Sequence, residues 1–517
     1  MGAPALSDWL LQRLDREAAQ PAYRQLHALL LQAVLQGQLA AGTKLPSSRL
    51  LAQELGLARN TVIEVYEHLA AQGCLLTRHG SGTYVADLSA DRMLDLPDAA
   101  HAKAAPRPAS AGPASLSRRG RTLLAGAGVS ARQWGAFMPG VPDVEEFPAR
   151  LWSRLHARHW RRAPAERLSY APGGGLPALR QALAEHLRNT RSVQCDAEQV
   201  IVTSGSHQAV DLAARLLADA GDHAWLEDPC YWGLRSTLQT LGLRLHAVPV
   251  DAEGLRWFGS RRQRPVPRLV LATPSHQYPL GMVMSAARRQ ALLEFCRRHG
   301  SWIIEDDYDS EFRYGTRPIA SLQGLDAAER VVYVGSFSKT LFPGLRVGYL
   351  VAPRGLAAAF AQASAELYRE GQLQQQAVLA DFIAEGHLGA HIRRMRKLYA
   401  VRRQCLLEAI RARFGEALPV SGDNAGLHLV LHLPERCDDV ALTQAALVAG
   451  IAVRPLSRYH ADPQRAPRGL LLGYACVKEA AIGPAFSTLA QVIERALRWL
   501  SKGASKDRVQ ETGSARC

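Results

Sequence analysis

Lys339 follows Ser336 and Ser338 in the run VVYVGSFSKTLFPGLRVGY (331–349), and Arg346 comes seven residues after it. A primary amine condenses with an aldehyde to a Schiff base, hydroxyls donate to a phosphate, and a guanidinium neutralises it. Brought together, these groups suit a phosphorylated aldehyde. Val331 to Val334 form an apolar strand that delivers the turn and its lysine.

Other apolar runs end in polar clusters in the same way. Val200–Thr203 leads into Ser204-Gly205-Ser206, where small residues before a helix leave backbone N–H groups and the helix dipole for a phosphate. A further strand precedes Glu227-Asp228-Pro229-Cys230-Tyr231. Trp302-Ile303-Ile304 delivers Glu305-Asp306-Asp307-Tyr308-Asp309. Strands that alternate with Ala/Leu-rich helical stretches predict an α/β body with one large and one small lobe.

The start of the chain has a different pattern. From Pro21, Leu26, Leu29, Leu30, Ala33 and Val34 recur at helical spacing until Gly37 and Gly42 interrupt them. Ser47 and Ser48 are caps for a second helix carrying Leu50, Leu51 and Leu55. Gly56 permits a tight turn, and Val62, Val65, Tyr66 and Leu69 mark a third helix ending at Gly73. Strands at Leu75–Thr77 and Thr83–Val85 flank the turn Arg78-His79-Gly80-Ser81-Gly82. Three helices and a hairpin predict a winged helix-turn-helix. The run from Gly37 through LPSSRLLAQELGLARNTV, with GCLLTRHGSGTYV after it, resembles the head of GntR-type regulators. That resemblance implies contacts to double-stranded operator DNA from Arg49, from Arg59, Asn60 and Thr61, and from Arg78, His79 and Gly80 in the wing.

The lysine segment, S-x-S-K-x-x-x-P-x-x-R-x-G, resembles that of fold-type I pyridoxal-phosphate aminotransferases. A GntR-type head joined to such a body is identified as the pattern of the MocR/GabR family of transcriptional regulators, which TPSHQYPLG (273–281), EDDYDSEF (305–312) and AGLH (425–428) also resemble. The resemblance implies pyridoxal 5'-phosphate as cofactor and no metal. Lys339 would be its Schiff-base lysine, Ser204, Gly205, Ser206, Ser336, Ser338 and Arg346 would surround the phosphate, and Tyr231 would stack on the ring. Asp306, with Glu305 and Asp307 as neighbouring alternatives, would pair with the ring nitrogen, and Tyr308 with the ring oxygen. Two departures from metabolic aminotransferases stand out. The usual asparagine motif is replaced, leaving His276 as its substitute, and the R-L-S-F-A arginine position is occupied by Leu471 in LLGYA. Arg454 is then the fork for an effector carboxylate, with Arg458 in reserve.

The chain of 517 residues carries a net charge of +15, which suits a polyanionic partner. Residues 1–86 contribute seven basic against six acidic side chains. Lys103, Arg107, Arg118, Arg119, Arg121 and Arg132 bring six charges without an acid between Ala99 and Gly135. Residues 1–86 read as the DNA-binding head, the Ala/Pro-rich stretch 87–132 as a flexible tether, 133–500 as the aminotransferase-like body and 501–517 as a frayed tail. The eight cysteines stand singly, without metal spacing. No leader peptide or membrane-spanning run is apparent, so a cytoplasmic location is expected, and the resemblance implies a homodimer. The expected function is a DNA-binding regulator in which an amine or amino-acid effector exchanges with Lys339, with at most residual transaminase turnover. The alternatives are a working aminotransferase, or a regulator that senses pyridoxal phosphate itself to control vitamin B6 synthesis.

Overall fold

The structure is a computed structural model that describes residues 3–15, 20–78, 81–87, 116–125, 128–129, 132–259, 264–314, 319–369 and 371–513. The chain divides into two compact units, residues 1–113 and 114–517. The first contains helices α1 (Ala3–Leu11), α2 (Ala22–Leu35), α3 (Ser48–Leu55) and α4 (Arg59–Ala71), closed by the antiparallel hairpin β1 (Leu75–Arg78) and β2 (Gly82–Val85). Leu26, Leu30, Ala33 and Val34 of α2 share one core with Leu51 and Leu55 of α3 and with Val62, Val65, Tyr66 and Leu69 of α4. The periodic stripes of the sequence are therefore the faces that lose their water. Ser47 caps α3 by accepting from the Leu50 N–H at 3.2 Å, and Gly56, at φ +62°, ends it. α1 precedes the expected three-helix pattern. Leu6 and Leu10 are buried in the same core, and the Ser7 hydroxyl donates to Glu54 at 2.5 Å.

The second unit begins with α5 (Arg118–Ala125), inside the expected tether. Ser117 starts this helix by accepting from the Gly120 N–H at 3.1 Å, a cap that outweighs the loop-like composition around it. α6 (Ala149–Arg161) and α7 (Pro177–Arg191) lead to an eight-stranded mixed sheet. Its strands are β3 (Val200–Thr203), β4 (His223–Asp228), β5 (Arg244–Asp251), β6 (Gly254–Leu255), β7 (Leu269–Ala272), β8 (Trp302–Asp307), β9 (Val331–Ser336) and β10 (Gly348–Val351), in spatial order β3-β10-β9-β8-β7-β4-β5-β6. β5, β4, β7, β8 and β9 run parallel, while β10 lies antiparallel between β9 and β3. β3, β7 and most of β8 and β9 are buried, so they read as continuous apolar runs rather than alternating ones.

Helices α8 (Ser206–Leu217), α9 (Trp232–Thr240) and α10 (Ala286–His299) follow β3, β4 and β7. α11 (Ala357–Tyr368), α12 (Leu373–Ala384) and α13 (His387–Phe414) lead to a smaller lobe. There the antiparallel sheet β11 (Val420–Ser421), β12 (His428–His432), β14 (Gly469–Gly473), β13 (Arg454–Pro455) packs with α14 (Asp439–Val448) and α15 (Glu479–Gly513). α15 continues through residues 501–513, where the sequence suggested a frayed tail. Once its buried turns (Ile482, Phe486, Leu489, Ile493) are packed, each further residue adds a helical bond without a new nucleus. No helix among the described residues is long and apolar enough to cross a membrane.

Candidate functional site

β3, β4, β7, β8 and β9 place their carboxyl ends on one edge of the sheet, the place where open α/β sheets hold ligands. A cavity of about 550 Å³ lies there, lined by Lys339, Asp306, Tyr308, Tyr231, Ser206 and Arg454 among others. The Lys339 ammonium donates to the Gly140 carbonyl at 2.6 Å. Burial lowers the lysine pKa, against the pull of Asp309 and Asp306. That direction favours the free amine, the form that attacks a carbonyl.

The three neighbouring acids are separated by the pleat of β8. Glu305 accepts from the Leu322 and Gln323 N–H groups at 2.8 and 2.9 Å. Asp307 pairs with Arg191 at 2.7 Å and accepts from the Tyr333 hydroxyl at 2.5 Å. Asp306, between them, points the other way, to the cavity. Its Oδ1 is buried without a hydrogen-bond partner among the described residues, and burial followed by Asp307 pushes its carboxyl up to about 7. A buried, unsatisfied carboxylate facing a cavity matches a cationic ring nitrogen, which would supply the missing donor and charge.

Gly205 and Ser206 line the cavity at the start of α8. Ser204 does not: it lies at the rim, where its carbonyl accepts from the Arg346 guanidinium at 2.8 Å. Gly205 has φ +99°, so its conformation favours glycine, and a side chain on Gly348 would come within 2.7 Å of it. Arg346 itself adopts φ +51°, left-handed for a non-glycine residue, at the end of the Pro343–Leu345 turn. Ser336 donates to Ser338 at 3.0 Å, and both line the cavity. Helix N-terminus, hydroxyls and guanidinium thus converge as a phosphate requires.

Tyr231 lines the cavity with its hydroxyl 3.3 Å from His207 Nε2, and burial raises its phenol to about 12. His276 is buried and is not among the residues that line the cavity, with Nδ1 2.9 Å from Asp309 and 2.9 Å from the Tyr308 hydroxyl. Gly426 has no side chain because a Cβ there would lie 2.4 Å from the His276 ring. Tyr308 does line the cavity, and its hydroxyl is held against the His276 ring. Asp309, His207, His428, Tyr278 and Tyr459 also line the cavity but were not singled out from the sequence. Tyr278, Asp309 and His428 stood inside the quoted runs TPSHQYPLG, EDDYDSEF and AGLH, and His207 directly after Ser204-Gly205-Ser206, and that proximity was the available signal. The segment Met138–Val141 had none. Arg454 lines the cavity and Arg458 does not. Leu471 and Leu472, where an arginine was missed, are buried core residues of β14.

In the first unit, Arg49, Arg59, Asn60 and Arg78 are exposed and Thr61 is half-buried. Arg59 to Thr61 form the first turn of α4, away from its packed face. Arg78 lies over the Tyr84 ring at 5.2 Å, as does Lys44 at 5.8 Å, so Lys44 joins the wing. His79 and Gly80 lie outside the described residues.

Residues 149–485 match the model of aminotransferase class I and II, and residues 22–85 that of bacterial regulatory proteins of the gntR family. The chain is 42% identical to a probable rhizopine catabolism regulatory protein, MocR, of Rhizobium meliloti, covering 89% of this chain and 92% of that one. The chain belongs to the MocR/GabR family of transcriptional regulators. The pyridoxine biosynthesis regulator PdxR of Corynebacterium glutamicum is 33% identical over 85% of this chain and 89% of its own. Among solved structures, the kynurenine aminotransferase of Pyrococcus horikoshii, in complex with PMP, aligns at TM-score 0.65 and 26% identity, covering 74% of this chain and 95% of that one. As in this family, the second unit has the fold-type I aminotransferase architecture and binds pyridoxal phosphate, and the first is a DNA-binding winged helix.

Proposed function

We propose that this regulator reads an amine or amino-acid effector at Lys339 and converts its binding into a change in operator occupancy. Bound in the cavity, pyridoxal phosphate supplies an aldehyde that condenses with amines and a ring that withdraws electrons when its nitrogen is protonated. The chain's own residues do the rest. Asp306 holds the proton on the ring nitrogen, Tyr308 meets the ring oxygen, Tyr231 covers the ring face, and Ser206, Ser336, Ser338 and Arg346 hold the phosphate. Lys339, whose burial favours the free amine, is the amine that an effector would displace, and Arg454 would take the effector's carboxylate. The observation that carries this reading is the unpaired Asp306 carboxylate in the same cavity as Lys339.

Arg49, Arg59, Asn60, Thr61 and Arg78 are the DNA contacts of this reading, with His79 and Gly80 completing the wing. A homodimer would supply two recognition helices for paired half-sites, and the exposed Trp160, Leu168 and Tyr170 support a covered face on the body. Effector and operator affinities must then be linked reciprocally. The test is the visible spectrum of the cofactor-loaded protein during titration with amines, alongside binding to a selected DNA duplex. An amine that shifts the spectrum and changes DNA affinity, without turnover when keto acid is added, supports the regulator. Sustained turnover identifies an aminotransferase, and a DNA response to the cofactor alone identifies a sensor of pyridoxal phosphate.

A further inference from the structure

A second cavity, about 270 Å³, adjoins the first and shares Met138, Trp232, Arg454 and Tyr459 with it. Three arginines line it (Arg132, Arg454 and Arg458), and no aspartate or glutamate does. We propose that this second cavity is a subsite for a further acidic group of the effector, so that the effector class is an amino acid bearing two acids, one on Arg454 and the other on Arg458. The inference rests on the reading that an amine engages Lys339, and it deepens that reading.

Arg454 is the hinge of the argument because it faces both cavities. Arg458 belongs to the turn Leu456–Tyr459 just beyond it, is exposed, and has no acidic partner among the described residues. Asp439, on the helix that forms the far wall, does not neutralise it: its carboxylate accepts from the Ser457 N–H at 2.9 Å and hydroxyl at 2.7 Å. Val129 and Leu447 supply apolar wall for the carbon chain between the two acids, and Thr443 stands near them. Two guanidinium groups and apolar surface lining one cavity select a diacid by charge.

One wall comes from the stretch expected to be only a tether. Gly128 lies flat against Trp232, where a Cβ would meet the indole at 2.7 Å. The Arg454 guanidinium donates to the Arg132 carbonyl at 3.4 Å. Gly128, Val129 and Arg132 therefore border the place where the second acid binds, and in the chain they lead back toward the DNA-binding head. The acid on Arg454 competes with the Arg132 carbonyl for that guanidinium, so the connector senses occupancy directly.

The test uses the cofactor-loaded full chain and two pairs of probes. Glutarate and its monoamide carry no amine and are followed by calorimetry. L-Glutamate and L-glutamine carry one and are followed by the visible spectrum. The diacid of each pair is expected to bind about tenfold or more tighter than the monoamide, a difference of about 1.4 kcal/mol, and Arg458→Gln is expected to bring the ratio close to one. Arg458 is exposed, so the variant retains the fold. Equal affinities in the unaltered protein, or a preference unchanged by Arg458→Gln, overturn the subsite. A glutarate preference that depends on Arg458 while no amine moves the spectrum upholds the subsite and sinks the amine reading. A spectrum moved equally by both amino acids does the reverse.

Discussion

In the head, the residues aimed at a partner follow one another along the chain. Arg59, Asn60 and Thr61 occupy a single helical turn, the first two exposed and Thr61 half-buried, on a scaffold whose only demand is a packed opposite face. In the body, Gly140, Ser206, Tyr231, Asp306, Lys339 and Arg454 come from six separate segments: four lie at the ends of strands that finish on one edge, and Arg454 comes from the smaller lobe's sheet. The head presents charge to water. The body buries it, and burial alters the chemistry: Lys339 shifts toward the free amine and Asp306 holds its proton to about pH 7. A contiguous surface site needs only the right helix face, whereas a convergent buried site needs the whole sheet and is tuned by it.

The sharpest break in this comparison is Lys339→Ala. The variant is expected to lose the lysine-linked absorption of the cofactor and every spectral response to amines, while still binding a DNA duplex selected by the full chain. Residual lysine-linked absorption would show that another amine does the work.

Asp306→Asn comes next. In the folded, cofactor-free chain this carboxyl keeps its proton to about 7 instead of 3.8, so the folded state binds more protons than the unfolded one between those values. The resulting destabilisation is absent below about pH 4, grows to pH 7 and is full above it, at most about 4 kcal/mol. The asparagine variant is therefore expected to gain melting temperature over the unaltered protein at pH 8 and not at pH 4, and to lose cofactor affinity. A melting difference that is flat with pH removes the buried-carboxylate account.

Arg59→Ala addresses the other side of the comparison. Loss of about 1–3 kcal/mol in affinity for the selected duplex is expected, with sequence preference relaxed and the cofactor spectrum unchanged. Lys44→Ala, beside the wing, should weaken all duplexes alike and reduce the slope of log affinity against log salt by about one. The smallest effect is Ser47→Ala. Losing the α3 cap should cost about 1 kcal/mol, visible in thermal unfolding of the head and absent from cofactor binding; a change in the cofactor spectrum would contradict the separation of the two sites.

The head's helices were readable because amphipathic spacing and caps are local properties, and the stripes Leu26–Val34 and Val62–Leu69 pack as spaced. α1 escaped notice because its two anchors, Leu6 and Leu10, acquire meaning only against the core they complete. In the body, the lysine, its serines and Arg346 were readable because one short segment carries them all. Motif position did not reveal that Asp309 and Tyr308 hold the His276 ring.

The amino-acid sequence by itself determined the two-part organisation, the winged helix, the lysine and the chemistry it serves, since each is written in neighbouring residues or in a period. It also restricted the ring-nitrogen partner to three consecutive acids. Only the tertiary structure shows that Asp306 is the one of the three that faces the cavity. Alternation along β8 separates Asp306 from its neighbours, but which face looks into the cavity depends on what packs on each side of the sheet. The same holds for Arg454 over Arg458 at the cofactor and for the tether that becomes a wall: chain-distant groups acquire their neighbours through packing, which local spacing does not encode.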